Sequence, residues 1–398
     1  MSLQGTPAAE RLHIGFFGCR NAGKSSLVNA IAGQELAVVS EIKGTTTDPV
    51  SKTMELPPLG PVVLIDTPGF DDNGALGEKR IQKTKQILGK TDIAVLVIDA
   101  AAGLSEADQT LLSIFQEKQI PFLTVYNKID QTDWVCSGEN EIAVSALTGQ
   151  NIHALKERLG QMQKPTRKWL VGDLLQAGDM AVLVTPIDES APKGRLILPQ
   201  QLAIRDILDK NAISVVTRET TLQQTLEGLR RPPALVVTDS QAFAIVSKIV
   251  PDSVSLTSFS ILMARYKGFL QTAIQGVAAV RRLQDGDTVL IAEGCTHHRQ
   301  CNDIGTVKIP RWLAQVSKEK ALAIRTCSGT EFPEDLSPYA LVIHCGGCML
   351  NERDVQTRME RAVAQGVPFT NYGIFIAYAT GTLERSLRLF PALHKQII

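Results

Sequence analysis

The sequence lacks a surplus of charge of either sign and lacks any long hydrophobic run. Its 398 residues include 41 Lys and Arg against 41 Asp and Glu, which argues against the basic surface of a nucleic-acid-binding protein. The strongest apolar run, Ile93 to Ile98, is far shorter than the roughly 18 residues of a membrane span. Because Met1 to Arg11 contains no apolar signal-peptide core, we expect a cytoplasmic protein.

Cysteine is scarce and unevenly placed. Seven is an odd number of cysteines and the chain is long, so a secreted disulfide framework is not expected. Five of the seven lie in the last third of the chain: Cys295, Cys301, Cys327, Cys345 and Cys348. Such clustering points to metal or redox chemistry more than to structural bridges.

The pattern of apolar runs predicts an α/β protein. Typical domains hold roughly 100–200 residues, so two or three are expected. Buried runs alternating with helical stretches predict a mostly parallel sheet in residues 1–165, followed by two smaller α/β domains at 169–258 and 259–398. A long helix is predicted at Ile261–Leu283. No internal repeat or low-complexity tract is evident.

A phosphate-binding loop lies near the N-terminus. Residues 18–25 read Gly-Cys-Arg-Asn-Ala-Gly-Lys-Ser, which fits G-x-x-x-x-G-K-[ST]. The segment follows a predicted strand and opens a predicted helix, which is the context of a P-loop. Its glycines let backbone N–H groups surround phosphates at a helix N-terminus. We expect Lys24 to reach the β- and γ-phosphates and Ser25 to bind Mg²⁺.

Two further segments suit the phosphate end of a nucleotide. Residues 66–69, Asp-Thr-Pro-Gly, follow a predicted strand, where the carboxylate of Asp66 can hold Mg²⁺ through water and the N–H of Gly69 can face the γ-phosphate. Residues 44–48, Gly-Thr-Thr-Thr-Asp, lie between the P-loop and Asp66, where a switch threonine is needed.

Two other segments suit a guanine base. Residues 127–130, Asn-Lys-Ile-Asp, end a predicted strand, and Asp130 can accept two hydrogen bonds from a guanine edge that adenine cannot supply. A buried carboxylate left unpaired by the wrong base is costly, so Asp130 is a base selector. Residues 145–147, Ser-Ala-Leu, can present backbone N–H groups to the guanine oxygen.

The order and spacing of these segments resemble the GTPase superfamily over residues 11–160, and details resemble its TrmE–Era–EngA group. Phe70 stands where Ras-like members carry glutamine. The resemblance implies that Asn21 helps to hold a K⁺ ion and that Thr46 binds Mg²⁺, although Asn21 could instead make local loop hydrogen bonds. The nucleotide-binding residues are then expected to be Gly18, Gly23, Lys24, Ser25, Ser26, Thr46, Asp66, Asn127, Lys128, Asp130, Ser145 and Ala146, with Lys24, Asn21, Thr46 and Gly69 as the catalytic residues.

A second constellation of ligand-type residues lies near the C-terminus. Residues 295–297 read Cys-Thr-His and residues 344–348 read His-Cys-Gly-Gly-Cys, each directly after a predicted strand. Because sites in open α/β sheets form where loops leave the carboxyl ends of strands, both segments are expected at one edge of the sheet. A Cys-x-x-Cys turn brings two thiolates onto one metal or cluster, and Cys295 would add a third. Three thiolates on a 4Fe–4S cluster leave one iron for an exchangeable ligand, such as His297 or His344, a carboxylate or water. Zinc ligation by Cys and His is an open alternative, and either histidine could lie behind the ligands instead of among them.

A GTPase domain combined with Cys-x-His and His-Cys-x-x-Cys resembles HydF, the family of maturation GTPases of iron–iron hydrogenase, over the whole chain. The resemblance implies a GTPase domain, a central dimerisation domain and a C-terminal domain that binds a 4Fe–4S cluster through Cys295, Cys345 and Cys348. It also implies a carrier of a diiron precursor that works with two radical-SAM maturases and the hydrogenase apoprotein. The rival hypothesis is a potassium-dependent GTPase of RNA or ribosome biogenesis with a structural zinc domain.

Overall fold

The computed structural model divides the chain into two compact units, Met1–Thr166 and Arg167–Ile398. The residues that it describes are 7–33, 50–70, 83–132, 134, 138–162, 167–187, 196–294, 303–329 and 331–395. Among these residues, no helix is both long enough and apolar enough to cross a bilayer.

The first unit contains a six-stranded sheet. Its strands are β1 Leu12–Phe17, β2 Val50–Leu56, β3 Gly60–Asp66, β4 Ile93–Asp99, β5 Phe122–Asn127 and β6 Glu141–Ala143. Its helices include α1 Lys24–Ala32, α2 Glu106–Glu117 and α3 Ile152–Gln161. The strand order is β2-β3-β1-β4-β5-β6, and only the β2–β3 pair is antiparallel. The predicted mostly parallel sheet of a P-loop GTPase is therefore confirmed.

Helices cover both faces of this sheet, because its central strands are apolar on both sides. Strand β4 is buried at every residue except its last, as a strand packed between two helical layers must be. One core contains residues of α1 and α3, and the other contains residues of α2. Helix α2 begins at a capping box in which Ser105 and Asp108 satisfy each other's backbone N–H groups.

The second unit begins with a four-stranded parallel sheet. Its strands are β7 Met180–Val184, β8 Ile213–Thr217, β9 Leu235–Thr238 and β10 Ser255–Ser258. Its helices are α4 Leu198–Asp209, α5 Leu222–Gly228, α6 Phe243–Ile249 and α7 Phe259–Tyr266. The strand order is β8-β7-β9-β10.

A second four-stranded parallel sheet follows in the same unit. Its strands are β11 Thr288–Glu293, β12 Ala323–Ser328, β13 Leu341–His344 and β14 Phe369–Asn371. Its helices are α8 Leu270–Val277, α9 Ile309–Val316, α10 Glu352–Ala364, α11 Tyr372–Ala379, α12 Leu383–Leu387 and α13 Pro391–His394. The strand order is β12-β11-β13-β14, with every neighbouring pair parallel.

These two sheets are copies of one arrangement, which we call the first and second repeats. In both, the strands lie in the order second, first, third, fourth. Before the first strand of each, residues 175–179 read Leu-Gln-Ala-Gly-Asp and residues 283–287 read Leu-Gln-Asp-Gly-Asp. In each the aspartate accepts a hydrogen bond from the glutamine N–H at 2.7 Å.

The last strand and helix of each repeat match in the same way. Residues 257–264 read Thr-Ser-Phe-Ser-Ile-Leu-Met-Ala, and residues 370–377 read Thr-Asn-Tyr-Gly-Ile-Phe-Ile-Ala. Ser258 caps α7 by accepting from the Ile261 N–H, and Asn371 caps α11 by accepting from the Ile374 N–H. The prediction that the chain lacks an internal repeat was wrong. The identities are short and scattered, as in the turns above and at Leu235–Val236 and Leu341–Val342, so the sequence gives no continuous repeat signal.

The predicted helix Ile261–Leu283 is also broken. Helix α7 ends at Tyr266, and Gly268 then adopts a left-handed conformation with φ 77°. The chain resumes as α8 and a 3₁₀ helix, Ala278–Arg282. A left-handed residue at a helix end lets the N–H groups that follow turn back and bond the last helical carbonyls. Glycine adopts this conformation without a Cβ penalty.

The two repeats share one hydrophobic core. It contains Leu183 and Val237 from strands of the first repeat together with Leu290 and Ile343 from strands of the second. Helix α7 of the first repeat packs on α11 of the second, and Gly373 makes this approach close, since a Cβ there would lie 2.4 Å from the Ser260 Cβ.

Candidate nucleotide and cluster sites

The P-loop connects β1 to α1, and two of its positions require glycine. Gly18 has φ 136° and Gly23 has φ 92°. A Cβ on Gly18 would lie 2.2 Å from the Val97 carbonyl oxygen, and one on Gly23 would lie 2.2 Å from Asn127 Nδ2. The loop therefore lies tightly against β4 and β5, with its backbone at the edge where the sheet's strands end.

Lys24 lies over this loop. Its side chain is buried, and Nζ donates to the carbonyl oxygens of Gly18 at 3.0 Å and Cys19 at 2.7 Å. A cavity of about 400 Å³ opens beside it. The residues that line this cavity are Arg20, Asn21, Gly23, Lys24, Ser25, Ser26, Thr67, Pro68, Gly69 and Lys128. The predicted phosphate-binding residues Asn21, Ser26 and Gly69 are thus brought together with the lysine.

Ser25 and Asp66 form a site suited to a divalent cation. Ser25 Oγ donates to Asp66 Oδ2 at 2.5 Å. The other carboxylate oxygen, Oδ1, is buried and has no hydrogen-bond partner within the described structure. Burial raises the pKa of Asp66, although the Ser25 hydrogen bond and Lys24 oppose this. A buried oxygen without a partner fits Mg²⁺, whose preferred ligands are hard oxygens. Thr46, the other predicted ligand, lies outside the described residues.

Phe70 does not substitute for a catalytic glutamine. Its side chain packs against the core that contains Phe17 and Ile65. Beside it, Thr67 Oγ1 donates to the Phe16 carbonyl oxygen at 2.6 Å and ties this segment to β1. Any group that assists hydrolysis must therefore come from elsewhere.

A larger cavity of about 590 Å³ lies next to the first and shares Gly23, Ser26 and Lys128 with it. Asn127, Asp130, Ala146 and Leu147 are among the residues on its other walls. Two adjoining cavities of these sizes suit the phosphates and the base of one nucleotide.

Asn127 has a role in positioning the loops of this cavity. Its Nδ2 donates to the Ala22 carbonyl oxygen at 3.0 Å, and its Oδ1 accepts from the Ala146 N–H at 3.0 Å. One side chain therefore links the P-loop to residues 145–147. Lys128 Nζ donates to Asp99 Oδ2 at 2.6 Å and is held at the cavity wall.

Residues 145–147 are predicted to present backbone N–H groups to the guanine oxygen, and two of these three groups are engaged within the protein. The Ser145 N–H donates to the Gln150 carbonyl oxygen at 3.1 Å, and that of Ala146 donates to Asn127. Ser145 instead uses its hydroxyl, which donates to Asp130 Oδ1 at 2.5 Å. In this conformation these residues orient Asp130 and the loop, and their direct contact with guanine stays a prediction.

The cysteine loop of the second repeat follows β13. That strand ends at His344, and its parallel neighbour β11 ends at Glu293. Both following loops therefore leave the same edge of the sheet, as predicted. Cys295, His297 and Cys301 lie outside the described residues. Gly294, which precedes Cys295, donates its N–H to Cys345 Sγ at 3.0 Å.

Cys345 Sγ accepts a second hydrogen bond, from the Gly347 N–H at 3.3 Å. The same position of the first repeat is Asp239, whose Oδ1 accepts from the Gln241 N–H at 3.0 Å. The sulfur thus occupies the place of a carboxylate oxygen. Two N–H donors favour a thiolate, which is the form that binds iron or zinc.

Cys348 is partly buried beside Lys267. Burial raises the pKa of the Cys348 thiol, whereas Lys267 and the backbone N–H groups of Cys348 and Met349 lower it. Within the part of the chain that the structure describes, no group of three or more His, Cys, Asp or Glu is arranged to hold a metal ion. Of the three predicted cluster thiols, this part includes those of Cys345 and Cys348. Cys345 fits thiolate ligation, because two backbone N–H groups donate to its sulfur, whereas burial keeps the pKa of the Cys348 thiol above its usual value.

His344 is fully buried, and its ring nitrogens lie against protein groups. Nδ1 lies 2.8 Å from the Cys345 carbonyl oxygen, and Nε2 lies 3.5 Å from Arg358 Nη1. Burial, reinforced by Arg358, lowers the pKa of His344 to about 3. The imidazole is therefore neutral, and its Nε2 would have to exchange Arg358 for iron in order to act as a ligand. This geometry counts against the prediction of His344 as a ligand and favours a role behind the loop.

Sequence reasoning missed three buried polar residues around this loop. Lys267 donates to two loop carbonyls, Arg358 donates to the Gly329 carbonyl oxygen at 2.7 Å, and Glu293 lies 3.3 Å from the Tyr372 hydroxyl. The signal for Lys267 was a lone lysine at the end of an apolar helix. Arg358 gave no signal, because it lies in the strongly charged sequence of α10.

Three family models match successive parts of the chain. Residues 170–268 match the hydrogen maturase F dimerization domain, and residues 271–389 match the hydrogen maturase F tetramerization domain, together more than half of the chain. The chain belongs to the hydrogen maturase F family. Residues 13–128 match a family described as 50S ribosome-binding GTPase, so the first unit is a GTPase domain. Division of the second unit at residue 258 stays a prediction.

Two curated relatives, both GTPases, match less than half of the chain. The tRNA modification GTPase MnmE of Dechloromonas aromatica is 35% identical over 162 residues, which are 39% of this chain and 36% of that protein. GTPase Der of Kosmotoga olearia is 36% identical over 126 residues, which are 30% of this chain and 28% of that protein. The chain thus spans about a third of the length of the curated relatives it matches.

Two solved structures also match part of the chain. A probable GTP-binding protein engB is 24% identical, with a TM-score of 0.32 over 38% of this chain and 97% of that one. Era from Aquifex aeolicus bound to GDP and AlF₄⁻ is 19% identical, with a TM-score of 0.34 over 51% of this chain and 91% of that one.

Proposed function

We propose that this family member is a GTP-hydrolysing carrier that binds a 4Fe–4S cluster and delivers a diiron precursor to an iron–iron hydrogenase. The observation that carries the proposal is the cysteine loop of the second repeat. There Cys345 accepts two backbone N–H groups at the position where the first repeat has a carboxylate. A GTPase domain in the same chain gives the carrier a nucleotide-driven switch.

In the nucleotide site, each residue has a role that follows from its place. Lys24 moves from the carbonyls of its own loop to the β- and γ-phosphates, which offer full negative charges. Ser25 and Asp66 would hold Mg²⁺, whose chemistry is to neutralise charge on the phosphates. The carboxylate of Asp130, oriented by Ser145, accepts the guanine edge. The N–H of Gly69 faces the γ-phosphate.

Phe70 packs away from the site and cannot orient a water molecule as a glutamine would, so hydrolysis needs another device. A cation at the phosphates can take the place of an arginine finger. We propose that Asn21, which lines the phosphate cavity, helps to hold K⁺ there, with Thr46 completing the Mg²⁺ site. Hydrolysis is then slow and faster in K⁺ than in Na⁺. Loss of the γ-phosphate changes the order of the switch segments and with it the contacts with partners.

In the second repeat, the thiolates of Cys345, Cys348 and Cys295 would hold the cluster. With three thiolate ligands, such a cluster would offer an exchangeable position to a diiron precursor. His297 stays a candidate for that ligand. His344 and Arg358 hold the loop from behind.

The dimerization and tetramerization domains support an oligomer, with a homodimer as the minimal form. The proposed partners are the two radical-SAM maturases, which act before the carrier, and the hydrogenase apoprotein, which receives its cargo.

The metal content of the purified and anaerobically reconstituted chain tests the proposal. We expect close to four irons and four acid-labile sulfides per chain, with GTP but not ATP hydrolysed. Stoichiometric zinc without sulfide would contradict the carrier function. It would favour a potassium-dependent GTPase of RNA or ribosome biogenesis, to which the likeness to MnmE also points.

A further inference from the structure

Lys267 is the lysine that follows the last residue of α7, in the first repeat, and it is 1% exposed. A lysine is almost never fully buried unless its ammonium group is satisfied. Its burial therefore indicates that specific partners satisfy the ammonium group.

The ammonium group reaches the cysteine loop of the other repeat. Nζ donates to the Gly347 carbonyl oxygen at 2.6 Å and to the Leu350 carbonyl oxygen. These two carbonyls lie on either side of Cys348. The positive charge consequently lies beneath the turn that carries Cys345 and Cys348.

The end of a helix at this point does not itself need a lysine. The matching residue of the second repeat is Thr380, which follows α11 and bonds the Ile376 carbonyl oxygen at 2.8 Å. Both helix ends make the same backbone bonds, from Lys267 N to Met263 O at 2.9 Å and from Thr380 N to Ile376 O at 2.9 Å. The lysine is therefore a feature of the first repeat that serves the loop of the second.

We propose that Lys267 is a positioning residue that fixes the Cys345–Cys348 loop and stabilises the negative charge of the cluster held there. The inference rests on the proposed cluster. A cluster with three thiolates is anionic and gains a further negative charge on reduction. A buried cation close to it favours the reduced form, since charges interact strongly away from water.

Three substitutions separate the two parts of this role. In Lys267→Gln, the side-chain amide can still donate to a loop carbonyl but carries no charge. Lys267→Met removes both the donor and the charge, and Lys267→Arg keeps both. The matched control is Lys168→Met, which removes a surface lysine that pairs with Glu352 of α10.

The measurements are iron and sulfide per reconstituted chain and the cluster's midpoint potential from an EPR-monitored titration. We expect Lys267→Gln to keep its iron, with a more negative midpoint and a ratio of reduced to oxidised cluster lower by on the order of tenfold at fixed potential. Lys267→Met should also lose iron, whereas Lys267→Arg and Lys168→Met should resemble the native chain.

A native midpoint in Lys267→Gln would overturn the electrostatic part, and native iron content in Lys267→Met would overturn the positioning part. If Lys267→Met fails to fold, the glutamine and arginine variants still decide the electrostatic part. A native chain that takes up no iron would overturn the proposed function itself, which is a different result from iron bound equally by all four variants.

Discussion

The first and second repeats have the same strand order, the same aspartate turn before the first strand and the same capped helix after the last. They differ at the end of the third strand. There the first repeat has Thr238 and Asp239, whereas the second has His344 and Cys345, followed by Cys348. Asp239 accepts a hydrogen bond from the Gln241 N–H in the first repeat, and Cys345 accepts the matching bond from the Gly347 N–H in the second.

This difference teaches that the fold supplies a position and the side chain supplies the chemistry. The edge of a parallel sheet brings two loops together in either repeat. Only the second repeat fills that position with sulfur, adds a second thiol directly after a glycine pair, and receives a buried cation from its neighbour.

The largest effect that this comparison predicts is on iron binding. Cys345→Ser should lose most of the reconstituted iron, because serine cannot replace a thiolate that bonds iron directly. Asp239→Ser makes the equivalent change in the first repeat and should leave the iron content unaltered. Iron and acid-labile sulfide are measured per chain for both variants.

Equal loss of iron in the two variants would contradict a division of labour between the repeats. GTP hydrolysis by the Cys345→Ser variant serves as a control, since the nucleotide site contains none of these residues.

A smaller effect is expected where α7 and α11 meet. Gly373 and Ser260 occupy matching positions, and a Cβ added to Gly373 would lie 2.4 Å from that of Ser260. Gly373→Ser should therefore destabilise the second unit by about 1–3 kcal/mol through overpacking. Ser260→Gly on that background should recover part of the loss. Denaturant midpoints of both single variants and the double variant measure the coupling.

Strictly additive losses in the double variant would show that the two positions do not compete for one space, and the proposed matching of the repeats would be weakened.

The smallest effect concerns Cys327, which lies at the position of Thr217 in the first repeat. Burial raises the pKa of Cys327 to about 11, so at pH 8 nearly all of it is the unreactive thiol. In metal-free protein, iodoacetamide should label Cys345 well before Cys327, and labelling of Cys327 should accelerate only as the pH approaches 11. Peptide mass spectrometry measures both rates.

Rapid labelling of Cys327 at pH 8 would show that this thiol is available as a ligand. Cys327→Thr, which copies the first repeat, should retain the native iron content.

The sequence predicted elements with strong local signals. The helix predicted to follow the P-loop is observed at Lys24–Ala32, and Gly33 ends it with φ 69°. The antiparallel strand Val50–Leu56 was missed, since its residues alternate and its exposed side is polar. The fold also confirms the edge at which the two cysteine segments leave the sheet.

Roles that depend on distant partners could not be predicted. Asn127 and Ser145 were expected at the base, yet their hydrogen bonds join loops that are far apart in the chain. Lys267 is 80 residues from Gly347, and nothing near it in the sequence indicates that contact. Tertiary packing decides such roles, and a local pattern carries no record of it.

The core shared by the two repeats couples binding at one repeat to the stability of the other. Because apolar strands of both repeats are buried in one body, the second unit should melt as a single cooperative block. A cluster bound to one repeat then raises the melting temperature of the other by mass action. An oligomerisation surface on the first repeat would thus be stabilised by a cluster that does not contact it.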